Sequence, residues 1–163
     1  MTETLRIPVL FPMIVGASAV IGSILIHAVA VSATVRFVNY ERKVGRAGAS
    51  FRIDLSIVSL AMLVVLIAHL IEIGLWALLF VACGEFRHLG TAYYHSAVNY
   101  TTLGYGDLVM SPAWRLLGPL EAANGELMFG VSTGMVFALI QLLIVARFER
   151  NHPAINIPTG TKV

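Results

Sequence analysis

Three long apolar runs constrain this chain more than any other feature. They cover residues 9–35, about 55–83 and about 116–146 of the 163-residue sequence. Roughly 20 residues of helix cross about 30 Å of hydrocarbon, so each run is long enough to span a membrane. Only 12% of the residues are charged and 58% are hydrophobic, whereas soluble domains carry about a quarter charged residues. The spacing predicts an all-α membrane protein with three transmembrane helices. The first run exceeds the roughly 7–15-residue core of a signal peptide and lacks the usual charged leader, so it reads as a retained helix.

Orientation follows from the basic residues. Arg36, Arg42, Lys43, Arg46 and Arg52 join the first two runs, and Arg147, Arg150 and Lys162 follow the third. The other side holds only Arg6, Arg87 and Arg115. The positive-inside bias therefore predicts a multi-pass protein of the cell membrane, with the 36–52 segment and the C-terminus cytoplasmic and the N-terminus outside. Residues 86–116 then face the exterior. Cys83 is the only cysteine, which excludes an intrachain disulfide.

The segment between the second and third runs breaks the pattern. Residues 90–100 (GTAYYHSAVNY) are compatible with a helix about half the length of a span. They are followed by Thr101-Thr102-Leu103-Gly104-Tyr105-Gly106-Asp107. A half-length helix and a glycine-rich strand between two spans describe a re-entrant loop. Non-helical backbone is tolerated at membrane depth only where protein buries it or water reaches it.

The 101–107 sequence resembles the signature filter of tetrameric potassium channels. The residue types suit that role: stacked backbone carbonyls can replace the water shell of a dehydrated ion. Turning successive carbonyls inward requires positive φ at alternate positions, which Gly104 and Gly106 accept without a Cβ clash. The resemblance implies ion binding by Thr102, Leu103, Gly104, Tyr105 and Gly106. Leu103 and Tyr105 side chains would pack behind the strand, and Asp107 would charge the outer mouth. One chain supplies one loop and a closed ring needs four, so a homotetramer is expected.

The resemblance covers roughly residues 55–147 and continues into the third run. Ser111-Pro112 reads as an N-cap with proline at the first helical position, and Pro119 as a kink inside the helix. Gly125-Glu126-Leu127-Met128-Phe129-Gly130 is similar to the pore-lining helix of bacterial potassium channels. That implies a gating hinge at Gly125 and a cavity-facing Phe129, with Gly130 beside them. At about 100° per residue, Glu126, Phe129, Thr133, Phe137 and Gln141 share one stripe. A charge facing lipid costs at least about 2.5–3.5 kcal/mol, so Glu126 is expected to ring a water-filled cavity. The family pattern is departed from at Tyr94-His95, where paired tryptophans are common. Val98, Tyr100 and Leu103 also differ from the prototype.

His69 and Glu72 sit three residues apart on the second run, and Glu121 and Asn124 lie off the cavity stripe. Buried polar groups need partners, which predicts one network of these four behind the loop. The first run is rich in small residues, including Gly16, Ala19, Gly22, Ser23 and Ala30, that allow close helix approach. His27 within it reads as packed and neutral.

The expected organisation is a peripheral helix with a basic loop (1–54), a pore domain (55–150) and a short tail (151–163). The implied function is passive K⁺ conduction, with K⁺, membrane lipid and further copies of the chain as partners and no nucleic acid. The alternatives are a weakly selective cation channel and a non-conducting scaffold. An enzyme would need His69, Glu72 and Glu126 as metal ligands, and no nucleophile or closely spaced ligand set accompanies them.

Overall fold

The computed structural model describes residues 9–152. The 153–163 tail lies outside them, as do Arg6 and Lys162, which entered the orientation count. The described residues form four helices: α1 (Leu10–Lys43), α2 (Phe51–Ala82), α3 (Leu89–Tyr100) and α4 (Leu117–Asn151). Three of them, α1, α2 and α4, are long and apolar enough to cross a membrane. At 1.5 Å per residue each is about 50 Å long, so their ends project beyond roughly 30 Å of hydrocarbon. α3 has 12 residues and does not reach across. The chain is an all-α membrane protein.

α1 buries Pro12, Gly16, Ala19, Ser23, His27, Ala30, Thr34, Val38 and Glu41. These follow one another at steps of three or four, a single helical stripe made mostly of small residues. That stripe lets α1 lie against both α2 and α4. α1 continues past the expected end at residue 35, so Arg36, Arg42 and Lys43 are helical. Arg42 and Lys43 in its last turn complement the negative end of the helix dipole. The connection to α2 is therefore only residues 44–50. Ser50 caps α2 by accepting from the Ile53 N–H, and Asp54 takes the Gly48 N–H at 2.8 Å. Arg147 pairs with the same carboxylate, and Arg150 donates to the Gly45 carbonyl at 2.7 Å. The connection is thus fastened to the end of α4.

Two apolar clusters hold the bundle. One gathers Ala19, Ile73, Trp76, Phe80, Tyr100, Leu117 and Met128, and the other Val38, Ile57, Ala61, Leu139 and Leu143. Between them along α1, α2 and α4 lie the buried polar residues His27, His69, Glu72 and Ser132.

Two expectations are corrected. Ser111-Pro112 does not cap the third span, because residues 112–116 form turns and α4 begins at Leu117. The Ser111 N–H and hydroxyl are instead used by Glu85, at 2.7 and 2.6 Å, tying the ends of the segment between α2 and α4 together. Pro119 consequently falls in the first turn of α4, where its missing N–H removes no helical hydrogen bond and gives no reason for a kink.

Candidate functional site

α3 ends at Tyr100, and its carbonyls are capped by the chain that follows. The Thr101, Thr102 and Leu103 N–H groups donate to Ala97, Asn99 and Val98, and Gly104 also reaches Val98. The strand then leaves α3 with a particular alternation. Thr102, Gly104 and Gly106 have φ of 58°, 57° and 74°. Glycine takes this region freely, whereas a β-branched threonine does so only under strain of order 1–3 kcal/mol. Backbone strain of this kind gathers at functional positions. The whole segment is exposed, including Leu103 at 54% and Tyr105 at 66%.

Asp107 closes the strand. The Tyr94 hydroxyl donates to its carboxylate at 2.8 Å, joining α3 to the far end of the loop. That hydrogen bond raises the Tyr94 pKa above the ordinary tyrosine value. Next to it, burial lowers the His95 pKa, and His95 Nε2 accepts from the Asn99 amide nitrogen at 2.9 Å. His95 also sits against Phe80 and Phe86. Tyr94 and His95 thus brace the loop within one chain at the positions where tryptophans were noted as common.

On α4 all five stripe residues, Glu126, Phe129, Thr133, Phe137 and Gln141, are exposed. The Thr133 hydroxyl satisfies itself on the Phe129 carbonyl. Phe129 turns back toward α2, its ring 4.4 Å from that of His69 and 5.6 Å from that of Tyr100. Gly125 is buried against the end of α3, and a Cβ there would overlap the Tyr100 carbonyl oxygen. Close approach of two backbones accounts for this glycine without a hinge. Gly130 faces open space.

The four-residue polar network expected from the sequence divides. Glu121 accepts from Ser96 on α3, and Asn124 is buried with neither amide atom hydrogen-bonded among the described residues. His69 and Glu72 belong to a different cluster. Glu72 Oε1 lies 2.9 Å from His27 Nδ1, and its other oxygen accepts from the Tyr100 hydroxyl. His69 Nδ1 is 3.0 Å from that hydroxyl. Ser132 Oγ completes the loop, 3.0 Å from His69 Nε2 and 3.1 Å from His27 Nε2. Glu72 is fully buried and His27 and His69 nearly so. Sequence reasoning did not assign His27, Tyr100 or Ser132 to a site. The one available signal was a histidine within an apolar helix, the costliest polar residue of the first run to bury alone.

The arrangement offers two kinds of chemistry: main-chain carbonyls along an exposed, kinked strand, and a buried set of nitrogen and oxygen donors behind it. No curated protein and no solved structure matches the chain. Residues 68–142, from the middle of α2 to late in α4, match a family model described as an ion channel, and this match supports an ion-channel family for the protein.

Proposed function

We propose that the chain forms one quarter of a potassium-selective channel, with residues 102–107 of four copies enclosing a row of K⁺ sites. The observation that carries this reading is the alternation of left-handed residues at Thr102, Gly104 and Gly106. Alternating hand turns successive carbonyls to one side of a strand, the geometry needed to replace an ion's hydration shell. A single strand covers only one side of an ion. Fourfold assembly completes the ring and covers Leu103 and Tyr105, which stand exposed in one chain.

Other features support the same reading. The negative end of α3 lies at the foot of the strand, where it favours a cation. Asp107 adds charge at the outer mouth. Glu126 and Thr133 are exposed on α4; in the tetramer they line the cavity below, where four carboxylates concentrate cations and can hold a blocking polyamine or Mg²⁺. Arg147 and Arg150 at the end of α4 bond to Asp54 and to the Gly45 carbonyl, which sets them on the same side as Arg42, Lys43 and Arg46, in keeping with a cytoplasmic face and an exterior N-terminus. Conduction is passive, with no chemistry on the ion.

The test is flux and reversal potential of the reconstituted protein in K⁺/Na⁺ gradients, with and without barium, alongside native mass spectrometry. The expected result is a tetramer with a barium-sensitive, K⁺-selective current. A current that does not distinguish K⁺ from Na⁺ would move the reading to a weakly selective channel, and absence of any current to a scaffold.

A further inference from the structure

We propose that His27, His69 and Glu72 form a binding site for a divalent transition metal of the zinc class, set between α1 and α2 at the base of the re-entrant loop. One donor atom from each of the three buried side chains lies within 4.8 Å of the others. Glu72 Oε1 is 2.9 Å from His27 Nδ1, and Glu72 Oε2 is 3.7 Å from His69 Nδ1. Donors about 2.0–2.2 Å from a tetrahedral ion stand roughly 3.3–3.6 Å apart, so these separations bracket what zinc requires. Two imidazoles and a carboxylate suit zinc, cobalt or nickel rather than calcium or magnesium. The Tyr100 hydroxyl, 3.0 Å from His69 Nδ1 and bonded to Glu72, stands where a fourth ligand would be.

Hydrogen-bond accounting points to the same place independently. Ser132 Oγ donates to the Met128 carbonyl at 2.9 Å. A hydroxyl has one proton and two lone pairs, so toward His27 Nε2 and His69 Nε2 it can then only accept. Both rings are thereby set with a proton on Nε2, which leaves Nδ1 as the atom each ring turns toward the Glu72–Tyr100 pair. Neither facing oxygen brings a proton to its contact: Glu72 Oε1 in one case, and in the other the Tyr100 oxygen, whose proton is given to Glu72. Two ring nitrogens and a carboxylate thus meet in one buried place that a cation must hold together, a proton on the ring or a metal ion between them. Metal-bound histidines usually donate their second N–H to an oriented acceptor, the part Ser132 plays for both rings. A groove of about 340 Å³ lined by Met62, Val65, His69, Phe129, Ser132 and Val136 provides access.

The site joins α1, α2 and the residue that precedes Thr101. The enzymatic alternative considered from sequence drew its third ligand from Glu126, which is exposed and outside this group; the third ligand is His27 on α1. Metal binding does not depend on the channel reading and is measured without flux.

The experiment is Co²⁺ titration of the purified full-length protein in detergent, read by visible d–d absorption and by metal content after desalting. The expected result is one cobalt per chain with the intense bands of a tetrahedral ion, displaced by Zn²⁺. The signal is lost in His69→Gln and Glu72→Gln and kept in His152→Ala, which removes an exposed histidine. Ser132→Ala weakens affinity roughly 10–100-fold. Wild type that takes up no cobalt holds only a proton there, and the proposal falls. It falls equally if the bands persist in the His69 and Glu72 variants. Should those variants lose their size-exclusion profile, X-ray absorption of the wild-type zinc protein decides: two imidazoles on the metal sustain the site, and none overturns it.

Discussion

The 101–107 strand and the buried His27–Glu72–Tyr100–His69–Ser132 cluster adjoin at the Tyr100–Thr101 bond, yet they are built on opposite terms. The strand is exposed and strained at Thr102, and from Tyr105 onward its amides have no backbone partner among the described residues. On the proposed reading it is unfinished in one chain. The cluster is 0–7% exposed, its side chains bonded in a closed loop across four helices. Its side-chain set is complete in one chain. On the proposed channel reading, the strand keeps its groups open for an ion and completes itself by assembly. A site that positions backbone is closed by its own fold.

Changes on either side should separate these roles. Gly104→Ala forces a Cβ into left-handed backbone at about 1–2 kcal/mol per chain. K⁺ flux should vanish while helix content and the bundle's melting temperature change little; retained flux would remove the strand from the pore. Gly125→Ala lies at the junction of both regions. Overlap with the Tyr100 carbonyl should cost about 1–3 kcal/mol of overpacking, seen as a lowered melting temperature and reduced tetramer yield. A stable Gly125→Ala protein with altered gating would instead favour the hinge implied by family resemblance.

Tyr100→Phe deprives Glu72 of a donor inside the bundle. A buried acceptor left unpaired costs about 1–3 kcal/mol, so the melting temperature should fall while selectivity among surviving channels is kept. An unchanged melting temperature would mean the cluster does not hold α2 to α3. Tyr94→Phe is the mildest of the set. It removes the Asp107 bond at the exposed end of the strand, and the expected effect is a modest shift in the K⁺/Na⁺ reversal potential with stability intact. A stability loss without a selectivity change would reverse the assignment.

The two regions also differed in how far they could be read beforehand. The strand is seven contiguous residues, and its preceding helix, expected at 90–100, runs Leu89–Tyr100. The cluster is not contiguous: His27 lies 45 positions from Glu72 and 105 from Ser132. Pairing His69 and Glu72 with Glu121 and Asn124 respected helical periodicity, but periodicity does not say which neighbour a face meets. α1 supplies His27, and Glu121 is taken by Ser96 instead. Ser111 was misread for a related reason. Its capping chemistry was recognised, but a distant carboxylate, Glu85, uses it.

What the sequence determined by itself is whatever depends on neighbours along the chain. Runs of apolar residues dictate spans because desolvating a helix is a sum over consecutive residues, and the glycines at 104 and 106 dictate their own backbone hand. Which polar groups share a pocket, and why Gly125 lacks a side chain, emerge only from the packing of the helices. Those outcomes rest on how helices cross and how closely they approach, and a displacement of one helical turn would bring different side chains together without altering a single apolar run.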